Sequence, residues 1–175
     1  QEIEQLGPRP QAGVKEFLSE ILPLLEFIHN RQIIHRDIKP ANIMRDERDG
    51  KLVLIDFGAV KICQDDPDNS TDDSTWTDFS VGTQGFAPPE QIARRPVYAS
   101  DIYALGVTCI YLLTGKSPKK FSYNRSTCEM IWQEHVQVSD HFAKVLNKML
   151  EAAVRYRYKS AREVLNAIDP EFDVG

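Results

Sequence analysis

The chain has 175 residues, 42% of them hydrophobic, enough to build one buried core and too few to make two ordinary domains the starting expectation. A net charge of -5 and the lack of any basic block longer than Lys119-Lys120 exclude a nucleic-acid binder, because neutralising phosphates needs a clustered basic face. No stretch reaches the roughly 20 apolar residues of a membrane span, so no membrane contact is expected from this segment.

In chain order, the start from Gln1 to Leu6 has neither an initiator Met nor a signal-peptide pattern, and the chain reads as an excised piece. Val14, Phe17, Leu18, Ile21, Leu22, Leu25 and Ile28 then recur at threes and fours, the stripe of a core-facing helix that Pro23 interrupts and should kink. Ile33-Ile34, Ile43-Met44 and Leu52 to Ile55 are short, partly β-branched strand candidates, with Asp49-Gly50 as a turn between the last two. Ile62 to Ser80 carries six aspartates and six hydroxyl side chains with few apolar anchors, and reads as a mobile loop.

Ser100 to Leu113 is apolar nearly all round and is closed by Gly115 and Pro118, which predicts a helix buried on every side at the centre of the domain. Two further helices are expected at Ser139 to Glu151 and Ser160 to Ile168, the second opened by a capping box, Ser160-Ala161-Arg162-Glu163. No internal repeat is present. Cys63, Cys109 and Cys128 lack the paired spacing of a zinc site or a disulfide framework; they read as small apolar fillers in a reduced, cytoplasmic setting.

Two motifs carry the chemistry: His35-Arg36-Asp37-Ile38-Lys39-Pro40-Ala41-Asn42, and Asp56-Phe57-Gly58 directly after a short apolar strand. They resemble the catalytic loop and the magnesium-binding triplet of protein kinases. The resemblance implies a mainly α fold with a few short β-hairpin strands. It makes residues 1-175 the C-terminal large lobe, with catalytic loop 35-42 and activation segment 56-90. Its cofactors would be ATP and Mg2+, with Mn2+ as a substitute, and its partner a protein carrying a Ser or Thr acceptor.

Phosphoryl transfer is mainly positioning and charge neutralisation, so such a site needs an acceptor for the alcohol proton, hard oxygen ligands for a divalent ion, and a cation at the transferring group. By resemblance, Asp37 takes the proton and Lys39 meets the γ-phosphate, while Asn42 and Asp56 hold the metal. Met44 would lie under the adenine ring, where an ordinary core role is the equal alternative. His35 and Phe57 correspond to residues that pack in the core.

The resemblance continues through Gly82 to Glu90, the segment that ends the activation loop and seats the substrate peptide. Pro88-Pro89-Glu90 stands where the family usually has Ala-Pro-Glu, and the added proline fixes φ and removes a backbone donor. Glu90 is expected to pair with Arg157, although Ala153-Val154 replaces the Asp-Pro usual a few residues earlier. Asp101 corresponds to an aspartate that accepts hydrogen bonds from the catalytic-loop backbone.

Lys39-Pro40 and Thr83 are similar to Ser/Thr rather than tyrosine kinases, and Leu54 to Lys61 with Pro88 to Gln91 resembles bacterial, in particular cyanobacterial, members. Arg36 matches arginines that grip a phosphorylated activation loop, which predicts autophosphorylation among Ser70 to Thr77. No glycine-rich phosphate loop or strand lysine occurs in residues 1-175, so this piece by itself is expected to be inactive, and the parent chain could carry a membrane tether elsewhere. A non-catalytic pseudokinase or docking module and a small-molecule phosphotransferase are the rival readings.

Overall fold

The computed structural model describes residues 7-56, 61-62 and 83-168. Helix α1 (Gln11–His29) buries the whole predicted stripe from Val14 to Ile28. It runs on through Pro23, contrary to the expected interruption: Pro23 and Ser19, whose carbonyl loses its donor, both lie on the exposed face, where water replaces the missing bond.

After α1 come β1 (Ile33–Ile34), a 3-10 turn at Pro40–Asn42, β2 (Ile43–Arg45), β3 (Leu52–Leu54) and β4 (Lys61–Ile62). Next are α2 (Pro89–Ile92) and α3 (Tyr98–Thr114), then a 3-10 turn at Pro118–Lys120 and the ribbon of β5 (Ser122–Tyr123) with β6 (Met130–Ile131). Helices α4 (Asp140–Met149) and α5 (Ala161–Ile168) complete the described chain. The architecture is mainly helical with short antiparallel ribbons, in agreement with the sequence reading.

Helix α3 is the central element. Every residue from Ala99 to Leu113 is buried except the half-buried Tyr111. It packs against α1 and α4, and α5 closes over both α1 and α4. Gly106 sets the α3–α4 spacing: a Cβ there would stand 3.1 Å from the Met149 Cβ and 3.2 Å from a Leu150 methyl. Gly115 ends α3 at φ 65°, its N–H bonded to the Tyr111 carbonyl at 2.7 Å.

Two helix starts differ in detail from expectation. Ser139 is the N-cap of α4, accepting from the Phe142 N–H at 3.3 Å, and Gln11 brackets it with two further bonds that tie the starts of α1 and α4 together. At α5, Ser160 Oγ accepts from the Glu163 N–H at 3.2 Å, but the Glu163 carboxylate reaches back to the Lys159 N–H rather than to Ser160. The capping box is thus stretched by one residue.

The ribbons position the motifs. β2 pairs with β3 and β1 with β4, both antiparallel, so the second pair encloses the first along the chain. The loop 35-42, which leads from β1 to β2, therefore ends beside the residues that follow β3. Asn42 O accepts from the Ile55 N–H at 2.9 Å, one step beyond the Ile43–Leu54 pair, and Asp56 is the next residue.

Candidate active site

The loop is held from below by α1 and α3. Asp101, in the first turn of α3 and fully buried, accepts from the His35 N–H at 2.9 Å and the Arg36 N–H at 2.8 Å, as expected. His29, in the last turn of α1, adds a third contact at 2.8 Å, with Nε2 donating to the Asp101 carboxylate. A buried carboxylate with three donors has replaced its hydration shell with fixed dipoles.

The His35 side chain is inaccessible to solvent. Its Nε2 lies 3.1 Å from the Ile55 carbonyl and its Nδ1 accepts from the Asp37 N–H at 3.3 Å, so the Nε2–H tautomer satisfies both contacts. Arg36 adopts φ 70° and Asp56 φ 60°, left-handed conformations that are uncommon outside glycine and cluster at functional sites. Burial lowers the Arg36 guanidinium, with Asp101 acting in the opposite sense.

Asp37 lies at the open end of the loop. One carboxylate oxygen accepts from Thr83 Oγ1 at 2.7 Å and from the Thr83 N–H at 3.1 Å. The other accepts from Asn42 Nδ2 at 2.9 Å and lies 3.2 Å from Lys39 Nζ. Partial burial pushes the Asp37 pKa up, but the Thr83 hydrogen bond, the Lys39 charge and the Asn42 amide outweigh it, leaving this carboxyl below the ordinary aspartate value. Lys39 also donates to Thr83 Oγ1 at 2.6 Å, so lysine, threonine and aspartate form one triangle.

Asn42 spends both amide hydrogens on Asp37, one on its carboxylate and one on its carbonyl at 2.8 Å. The amide oxygen is therefore left as a neutral hard donor at the end of the 3-10 turn, on a residue whose backbone bonds Ile55, the neighbour of Asp56. That donor set fits a small divalent ion that retains several other oxygen ligands. Among the described residues no group of three or more His, Cys, Asp or Glu side chains forms a self-sufficient metal site.

The family whose pattern matches the chain is the protein kinase domain, over residues 2–167. The chain belongs to the protein kinase family. It is 57% identical to Serine/threonine-protein kinase B of Synechocystis sp., a match covering 100% of this chain and 31% of that protein. It is 43% identical to Serine/threonine-protein kinase PknA of Nostoc sp. over 95% of this chain and 29% of that protein. Serine/threonine-protein kinase PknF of Mycobacterium tuberculosis is 33% identical over 74% of this chain and 26% of its own length. The chain spans about a third of the length of the cyanobacterial relatives it matches.

The remaining predicted kinase-family residues are accounted for as follows. Glu90 and Arg157 pair at 2.6 Å and 3.3 Å, and the arginine side chain is wholly buried. The extra proline does not disturb this: Pro88 is the buried N-cap of α2 and Pro89 its first residue, a position that needs no backbone N–H. Met44 is 41% exposed on β2 and lies outside the core formed by the described residues. Phe57, Gly58, Cys63 and the hydroxyl-rich stretch from Ser70 to Thr77 lie outside the described residues.

Three supporting residues were missed from sequence. His29 continues the Leu22, Leu25 spacing of α1 and so faces inward, where a polar side chain needs a buried partner; that signal was readable. Ser100 Oγ accepts from the Val97 N–H and donates to Glu90 at 2.8 Å, joining the start of α3 to the Glu90–Arg157 pair. Gln91, 2% exposed, donates to the Arg36 carbonyl, and nothing in the proline-rich segment around it announces this.

Proposed function

We propose that residues 1-175 are the large lobe of an ATP-dependent Ser/Thr protein kinase, with catalytic loop 35-42 and activation segment 56-90. The observation that carries this reading is the triangle of Asp37, Lys39 and Thr83, within 3.2 Å of one another and flanked by Asn42. Asp37 orients the acceptor hydroxyl and receives its proton, and like an ordinary aspartate it is ionised at neutral pH, its pKa held lower still by Thr83, Lys39 and Asn42. Lys39 presents its ammonium on the same side and stabilises charge on the transferring phosphoryl oxygens.

Magnesium, or manganese in its place, would be held by Asn42 and Asp56 and would supply charge neutralisation of the nucleotide phosphates. Met44 offers an exposed apolar side chain to the adenine. Thr83 supports Ser/Thr rather than tyrosine specificity by capping both Asp37 and Lys39. Arg36 would receive a phosphorylated activation segment, with the acceptor among Ser70 to Thr77. Among the described residues no helix is long and apolar enough to cross a membrane. Described cysteines are free thiols, in keeping with a reduced cytoplasmic setting.

The test is transfer of labelled γ-phosphate from ATP to a protein acceptor by the full-length protein. Transfer should require a divalent ion, appear on Ser or Thr, and disappear in Asp37→Ala. Persistent activity in that variant would remove Asp37 from the mechanism, and a wild-type protein without transfer activity would favour a docking module. Residues 1-175 alone, lacking a glycine-rich loop in their sequence, should show no useful turnover.

A further inference from the structure

A groove of about 360 Å³ opens next to the Asp37 triangle, and Lys39 and Thr83 form its inner end. Its walls are Pro40, Ala41, Phe86, Tyr111 and Pro118. Two groups that touch the Asp37 carboxylate, Lys39 and Thr83, also line this groove, so a segment that brings a hydroxyl to Asp37 can lay its neighbouring residues along it. Among the described residues, no carboxylate lines it.

Ser117 and Pro118, both in the wall, are followed in sequence by the exposed Lys119 and Lys120, whereas the Lys116 ammonium is turned to His135 Nδ1 at 3.0 Å. Gly85 fixes this edge against the peptide-seating segment: a Cβ on it would stand 3.1 Å from Pro118 and 3.9 Å from the Lys119 side chain. The chain as a whole carries a net charge of -5, so Lys39 inside this groove and the adjacent exposed pair Lys119-Lys120 directly after its wall residue Pro118 are a local reversal of sign among the described residues.

We propose that the acceptor segment of the protein substrate is acidic, with Asp or Glu close to the phosphorylated Ser or Thr and one apolar side chain seated between Phe86 and Tyr111. This rests on the kinase reading above and names the substrate chemistry of that site. Apolar walls reward an aliphatic or aromatic side chain, and a lysine rim without described counter-charges repels Arg and Lys while attracting carboxylates. The surface here is exposed and screened by salt, so the selection is moderate and falls with ionic strength.

The experiment uses the full-length protein and peptides with one Ser acceptor, flanked by Glu, by Lys or by neutral residues, each with Leu or Gly near the acceptor. The expected result is a kcat/KM about tenfold or more higher for Glu-flanked than for Lys-flanked peptides, higher again with Leu, and a ratio that shrinks at high salt. The double variant Lys119→Glu/Lys120→Glu should cut or invert that ratio. Ala41→Glu, which sets a carboxylate in the exposed wall, should independently raise use of Lys-flanked peptides. Transfer that is indifferent to flanking charge, or that prefers Lys, overturns this inference and leaves the kinase reading standing. Absence of transfer to all peptides and to whole protein acceptors overturns both.

Discussion

Arg157→Ala tests the energetic logic of the lobe. The Arg157 side chain is fully buried, and all five of its N–H donors are used: Nε on the Glu151 carbonyl, Nη1 on Glu90 and the Ala99 carbonyl, Nη2 on Glu90 and the Ala152 carbonyl. Removing the guanidinium leaves a carboxylate that is only 13% exposed and keeps a single described donor, Ser100 Oγ. Breaking a buried pair in this way costs about 3–5 kcal/mol. Water entering the vacated volume would re-solvate the three carbonyls and hold the loss toward the lower end. For a lobe of this size about 4 kcal/mol corresponds to a fall in melting temperature of roughly 8–16 °C. Thermal unfolding of the full-length protein, read together with hydrogen exchange of the α3 amides, measures it. Arg157→Lys, which keeps the charge but loses the fork, should fall between the two. A shift below about 2 °C, with α3 protection intact, would show that the pair does not hold α2 against α3 and that this reasoning is wrong.

Other consequences are open to direct measurement. Asp37→Asn should lower kcat by about 10²–10⁴ with the fold retained, since the amide preserves shape but cannot take a proton. Thr83→Val deletes a hydroxyl that bonds both Asp37 and Lys39, and should cost about tenfold to a hundredfold in kcat/KM, the worth of one hydrogen bond to a charged group, whereas Thr83→Ser should be mild. Because the folded pKa of Asp37 lies below its unfolded value of about 3.9, its contribution to stability is complete above that pH and is lost as pH falls through the folded value. Wild type and Asp37→Asn should therefore show parallel stability profiles at neutral pH that converge in strong acid, and parallel profiles throughout would contradict the assigned direction. With a thiol reagent on native protein, the exposed Cys128 should label and the fully buried Cys109, whose pKa is pushed far up by burial, should not; equal labelling would refute the packing around α3.

How much of this was legible in the residues differs by element. α1 and α3 were readable because their apolar residues follow a helical period or fill every face, and burial follows that pattern almost residue by residue. The Glu90–Arg157 contact and the Asp101 cap were legible only through family resemblance, since residues 67 and 66 positions apart carry no local signal of their pairing. Pro23 misled because a proline's effect on a helix depends on whether its face is packed or wet, which a breaker rule ignores. The stretched cap at α5 was illegible for a related reason: the spacing of Ser160 and Glu163 is correct for a capping box, and the choice of Lys159 over Ser160 is made by local backbone shape. Gln91 was invisible because it donates to a backbone carbonyl on another loop, a partner no sequence spacing announces.

Those last contacts explain how a loop with little regular structure holds the geometry proposed for catalysis. Left to itself, Arg36 at φ 70° would relax, since a left-handed non-glycine residue costs on the order of 1–3 kcal/mol. It is fixed from two sides: its N–H goes to Asp101 on α3, and its carbonyl receives Gln91 from α2. Asp101 is in turn fixed by His29 from α1, and α2 is fixed by Arg157 through Glu90. The two peptide units that flank Arg36 are therefore held by α3 through Asp101, by α2 through Gln91 and by the buried His35 ring, with α1 supporting Asp101, and the direction in which the Asp37 carboxylate leaves the backbone is set before any substrate arrives. An error of about 1 Å in that direction is worth about 10²-fold in rate. The precision of the site thus resides in buried polar contacts beneath the loop, and residues that touch no substrate, His29 and Gln91 among them, should prove as sensitive in kcat as many that do.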